Sequence, residues 1–262
     1  MTPALRPLAL ALAVLAAPVP LMAGDLPPGL VAAELLPAAP SADGKVMTAL
    51  RLELAPGWKT YWRSPGESGV APQFDWSGAP GVAAAREIWP EPEVIDSDGT
   101  RTLGYHDALV LPIELTLATP GAPLSGQLAV DLGLCLNICV PAHLVLPAPA
   151  QAASPDPRIT AALAAAPRAG TAPVTCTVGE IADGLRVAAS VEETAPEAAA
   201  MELALPGMWS SEAEIAVEGA RVTTTAEFVG PTGKPFALDP AALRLTLIGA
   251  DGAVEYQGCT LS

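Results

Sequence analysis

The sequence predicts an all-β protein built as two small β-sandwich domains joined by a Pro/Ala-rich linker. Three observations carry this. First, 23 glycines and 29 prolines in 262 residues disfavour long helices and favour short strands between turns. Second, runs of apolar and β-branched residues, several alternating with polar ones, recur through both halves with turn residues between them. Third, residues 148–172 change character, with Pro149, Pro155, Pro157 and Pro167 set around an alanine-rich piece. A chain of this length is long for one domain and comfortable for two. The expected boundaries are a domain at 24–147, a linker at 148–172 and a second domain at 173–262.

The chain opens with a signal-peptide pattern over residues 1–23. Arg6 supplies the positive region, an apolar run extends from Leu8 to about Ala17, and small Ala23 marks the cleavage point. Pro18 and Pro20 interrupt the run, which is shorter than the roughly 20 apolar residues a spanning helix requires. No later stretch reaches that length, so no membrane span is expected after signal removal. Export to the periplasm follows.

In the first half, Lys45–Leu54 alternates and reads as a strand. Pro56-Gly57 then turns the chain into the aromatic-rich Trp58–Trp62 strand. Glu91–Leu103 is polar and turn-forming and is expected to be a loop. Leu109–Leu117 and Gly126–Leu134 read as further strands, followed by His143–Leu146. In the linker, Asp156 is placed to cap a short helix with Pro157 at its first position, running through Ile159–Leu163 until Pro167 stops it. The second half resumes with Val174–Ile181, Leu185–Val191, Met201–Leu205, Glu214–Val217, Val222–Phe228, Leu243–Ile248 and Val254–Leu261. Asp251-Gly252 gives a hairpin signal between the last two. Seven short strands in about 90 residues point to an immunoglobulin-like sandwich.

A formal charge of −15 argues against nucleic acid or an anionic membrane surface as partner, since both need clustered Lys and Arg. A solvated acidic surface accounts for it. Nothing in the sequence calls for a cofactor.

Four cysteines in an exported chain are expected to pair. Cys135 and Cys139 lie on either side of Leu136-Asn137-Ile138, a length suited to a short hairpin loop, and Asn137 tolerates the positive φ such loops often use. Opposed residues in an antiparallel pair have Cα atoms about 4.5–5.5 Å apart, within disulfide range. So small a ring removes little entropy from the unfolded chain and is a poor stabiliser. A redox bond is therefore one reading, a structural clip another. A third is a metal site in which Cys135 and Cys139 join His143, a ligand set suited to Cu(I) or zinc. A regular strand places His143 about 13 Å from Cys139, however. Cys176 and Cys259 are expected in the first and last strands of the second domain, where joining them would close nearly all of it as a structural staple.

The run Gly57–Gly69 (GWKTYWRSPGESG), then Ile88-Trp89-Pro90-Glu91-Pro92, Gly104-Tyr105 and Cys135-Leu-Asn-Ile-Cys139-Val-Pro141, resembles the periplasmic N-terminal domain of the DsbD thiol:disulfide interchange family, nearest its ScsB branch. The similarity covers about residues 30–147. It implies an immunoglobulin-like sandwich whose Cys135/Cys139 pair accepts electrons from a membrane electron-conduit protein and passes them to periplasmic thioredoxin-like or disulfide-containing clients. It favours Cys139 as the sulfur that engages clients. A cap loop in that family corresponds here to about Glu93–Leu103, which has no aromatic residue to lie over the sulfurs, so Tyr61 and Tyr105 become the candidates to flank them. The sequence carries no counterpart of the family's membrane conduit or thioredoxin-like domain, and a separate membrane protein is expected to supply electrons. Two other functions stay open: copper binding through the same cysteines, linked to copper tolerance, and a non-catalytic adaptor.

Overall fold

A computed structural model describes residues 26–97 and 99–262. The signal-peptide reading of residues 1–23 lies outside them. Among the described residues the chain is all-β, with one α-helix, Pro157–Ala164, and no helix long and apolar enough to cross a membrane.

The first half folds as two facing sheets. One has the order Leu30–Leu35, Val46–Leu54, Ala108–Leu117, Val82–Glu87. The other has the order Cys139–Pro147, Gln127–Cys135, Lys59–Tyr61, Thr100–His106, Glu93–Ser97. Inward side chains from both meet in one apolar core, in which Leu50, Leu52, Trp62, Leu111, Ile113, Leu128 and Leu134 are almost wholly buried. Burying one such side chain is worth about 1.5–3 kcal/mol, and this face-to-face apolar contact is what sets the register of the strands.

Glu91–Leu103, expected as a loop, is instead mostly a β-hairpin. Ser97 pairs with Thr100 and Glu93 with Gly104, and Gly99 turns the chain at φ +81°. Ile95, Thr102 and Leu103 are buried along its arms and hold it in the sheet.

The 148–172 segment is fastened to both halves. Ala38 N–H donates to the Ala150 carbonyl (2.7 Å) and Ala152 N–H to the Ala38 carbonyl (2.8 Å). The helix is capped as the sequence indicates, Asp156 Oδ1 accepting from Arg158 N–H at 2.9 Å. Its inward face buries Ile159 completely against Leu36, Met47 and Ala49. Arg168–Ala169 then pairs in parallel with Val254 and Glu255 of the second half.

The second half repeats the two-sheet plan. One sheet has the order Arg168–Ala169, Gly252–Gln257, Leu243–Gly249, Ala198–Leu203. The other has Trp209–Ser210, Arg221–Val229, Gly184–Glu192, Thr175–Ile181, Thr260–Leu261. Alternate burial along Arg221–Val229 puts Val222, Thr224, Ala226 and Phe228 inside. The Asp251-Gly252 hairpin forms one residue earlier than its sequence signal: Gly249 pairs with Gly252, and Ala250 and Asp251 make the turn. Gly252 holds φ +97°, a conformation favouring glycine.

The halves are in contact. Ala198, Ala200, Ile248 and Ala253 of the second pack into the apolar core of the first.

Candidate functional site: the cysteine hairpin

Gln127–Cys135 and Cys139–Pro147 pair in unbroken antiparallel register from Gln127 opposite Pro147 to Cys135 opposite Cys139. Leu128, Val130, Leu132 and Leu134 on one arm, and Ala142, Leu144 and Leu146 on the other, face the core and lock that register. The hydrophobic pattern thus sets the two cysteines opposite each other at the tip. Their Cα atoms are 4.1 Å apart and their sulfurs are bonded. Leu136, Asn137 and Ile138 close the turn without a left-handed residue at Asn137, since Asp43 and Asp107 are the described non-glycine residues with positive φ.

The two sulfurs are presented unequally. Cys135 is 2% exposed, whereas Cys139 is exposed. Leu136 and Ile138 beside them are exposed apolar side chains, Ile138 at 76%. A disulfide with one reachable sulfur, beside two exposed apolar side chains, suits attack by a thiolate at the end of a docking partner.

Beneath the bond lies Tyr61, 2% exposed. Its Oη is 3.0 Å from Cys135 Sγ and 3.1 Å from Cys139 Sγ. Sulfurs bonded to each other carry no hydrogen, so the phenol is the donor. Burial pushes Tyr61 above its ordinary pKa, and its proton stays in place through the physiological range. The ring fits because position 133 is glycine: a Cβ there would stand 3.2 Å from the ring and 3.1 Å from Val70.

Tyr105, the other aromatic expected to flank the pair, does not. Its hydroxyl donates to the Pro90 carbonyl (2.8 Å) and its ring stacks on Trp89 at 6.4 Å between centroids. Tyr61 and Tyr105 sit on neighbouring strands but on opposite faces of the sheet, because Tyr105 pairs with Thr60 and not with Tyr61.

His143 stands opposite Asp131, four ladder positions from the cysteines, with its Nδ1 2.7 Å from the Asp131 carboxylate. The structure does not bring it to the sulfurs. Among the described residues no group of three or more His, Cys, Asp and Glu side chains is arranged to hold a metal ion.

Sequence reasoning missed Lys59. It pairs directly with Cys135 across the ladder, is 6% exposed, and its ammonium lies 3.4 Å from Thr102 Oγ1. Burial lowers its pKa. The signal was a lysine inside an aromatic strand, where a mostly apolar neighbourhood makes a charge unusual.

Cys176 and Cys259 form the second disulfide, 83 positions apart with Cα atoms 5.9 Å apart. Cys176 is buried in the Thr175–Ile181 strand. Cys259, expected in a strand, lies instead between two, just before Thr260–Leu261, which runs parallel to the strand of Cys176. Gly258 at φ +76° breaks the ladder there.

The first half is thus a β-sandwich that carries a disulfide across the tip of an edge hairpin, with one sulfur exposed. Residues 30–149 match the family model for the N-terminal domain of the thiol:disulfide interchange protein DsbD, and this part of the chain is similar to a DsbD-type N-terminal domain. The similarity extends further in three dimensions: the crystal structure of the N-terminal periplasmic domain of ScsB from Proteus mirabilis is 26% identical, with a TM-score of 0.60, over 86% of this chain and 91% of that one. No curated protein matches the chain significantly.

Proposed function

We propose that the chain is a periplasmic electron relay that accepts reducing equivalents at Cys135–Cys139 from a membrane dithiol protein and delivers them to envelope disulfides. The observation that carries this reading is the asymmetry of the pair: Cys139 exposed, Cys135 buried, and the Tyr61 hydroxyl on both sulfurs. In this reading residues 1–23 direct export and are removed near Ala23. Residues 24–147 are the redox unit, 148–172 the connecting segment and 173–262 a second sandwich stapled by Cys176–Cys259.

A donor thiolate attacks Cys139 Sγ, forming a mixed disulfide and breaking the Cys139–Cys135 bond. The electron pair of that bond leaves on Cys135, whose thiolate accepts the Tyr61 hydrogen bond. The donor's second thiol, deprotonated, then attacks its own mixed-disulfide sulfur and releases Cys139. Two electrons and two protons have passed, the donor dithiol becoming a disulfide and the pair a dithiol. Delivery runs in reverse: Cys139 thiolate attacks a client disulfide, and Cys135 resolves the mixed intermediate.

Single-cysteine trapping tests this. The Cys135→Ser variant, with Cys139 free and unable to be resolved, is expected to capture thioredoxin-like or disulfide-bearing envelope proteins as mixed disulfides. The Cys139→Ser variant, with its thiol buried, is expected to capture far fewer. Failure of both to capture any envelope protein rejects the relay.

A further inference from the structure

Two residues beyond Tyr61 the same chain carries Arg63, and Arg63 is held by the second half of the protein. Its Nε lies 3.1 and 3.2 Å from the two carboxylate oxygens of Glu202, and its Nη2 is 2.5 Å from Glu255 Oε2 and 3.3 Å from Thr246 Oγ1. Those partners sit on three adjacent strands of one sheet: Ala198–Leu203, Leu243–Gly249 and Gly252–Gln257. The guanidinium also lies 4.0 Å over the Trp62 ring, which is wholly buried. The Arg63 and Glu202 side chains are 14% and 20% exposed, and Glu255 29%. A planar group held in two directions and stacked on a third has one pose.

The chain leaving Arg63 folds back over Tyr61. Leu103 N–H donates to the Pro65 carbonyl (3.0 Å) and Gly69 N–H to the Gly66 carbonyl (3.2 Å). A Cβ at Gly69 would lie 3.1 Å from the Tyr61 ring. Next to this segment Arg101, whose carbonyl a Cβ at Gly66 would approach to 3.3 Å, donates from Nη1 to the Glu197 carbonyl of the second half at 3.0 Å. The Tyr61 ring is therefore confined between Gly133 and the 65–70 segment, and that segment begins at the Arg63 clamp.

We propose that the second half of the protein tunes the redox pair, with Glu202, Glu255 and Arg63 as positioning residues that hold the Tyr61 hydroxyl on the sulfurs of Cys135 and Cys139. This rests on the interchange reading of the pair. A hydroxyl donor stabilises a thiolate more than a neutral disulfide sulfur. Releasing it disfavours the reduced form and shifts the exchange equilibrium towards the disulfide.

The test uses the full chain equilibrated in glutathione redox buffers, with thiols counted at Cys135 and Cys139. The Glu202→Gln/Glu255→Gln variant is expected to move the exchange constant towards the disulfide by about threefold or more, part of the roughly tenfold expected for losing a charge-assisted hydrogen bond. In a Tyr61→Phe background the same two substitutions are expected to add nothing. An unchanged constant with a lowered melting temperature overturns the proposal, since it shows a merely structural ion pair. So does an equal shift in the Tyr61→Phe background. If the double variant fails to fold, Glu255→Gln alone is read in the same way. A parent chain whose Cys135–Cys139 bond does not exchange with glutathione at all overturns the interchange reading itself, an outcome distinct from these.

Discussion

Replacing Cys176 and Cys259 together by alanine opens a cross-link that spans 83 positions and joins the first strand of the second half to the end of the chain. On the chain-entropy relation, opening so long a loop costs about 4.5 kcal/mol. Cys135 and Cys139 are four positions apart, and the same relation gives about 2 kcal/mol for their bond. Alanine leaves little room for other effects at Cys176, which is buried but makes no side-chain hydrogen bond on which the fold depends. The two double variants, compared by urea denaturation, are expected to differ by more than 2 kcal/mol, with the Cys176/Cys259 variant the less stable. Equal losses, or a larger loss from Cys135/Cys139, would refute the division of labour between a stabilising bond and a working one.

Tyr61→Phe is expected to keep the fold and shift exchange towards the disulfide about tenfold, read by thiol counting in glutathione buffers. Gly133→Val crowds the Tyr61 ring, its Cβ standing 3.2 Å from the ring and 3.1 Å from Val70, and is expected to reproduce that shift with added loss of stability, measured by thermal melting. Tyr256→Phe tests a pH effect. Burial and then the 2.7 Å bond to Glu193 push Tyr256 up to about 12, so its contribution is complete below its ordinary value near 10 and fades as pH rises through 12. The same hydroxyl holds Glu193 below the usual carboxylate range, so that contribution is complete above the range and fades as pH falls through the lowered value. The variant is expected to lose about 1.5 kcal/mol near neutrality, with its deficit shrinking at both extremes of a melting-temperature profile.

Much of the site was legible because it is local. A run of alternating apolar residues before Cys135 and after Cys139 states both the hairpin and its register, and the Asp156-Pro157 pair states the helix start. What escaped was set by pairing across the chain. Whether Tyr61 or Tyr105 reaches the sulfurs depends on which strand face each occupies, and that follows from the register of Lys59–Tyr61 against Thr100–His106, which no local pattern encodes. Glu91–Leu103 was misread because Asp, Ser and Gly mark a turn equally well inside a hairpin or a loop. The Arg63 clamp joins residues 139 and 192 positions apart and left no trace in sequence spacing.

Graded reduction under native conditions, followed by alkylation and mapping of the labelled cysteines, bears most directly on whether Cys135–Cys139 is the working bond. The expected result is label on Cys139 and Cys135 at low reductant, with Cys176–Cys259 still closed. Reduction of Cys176–Cys259 first, or resistance of Cys135–Cys139 until the protein unfolds, would contradict it.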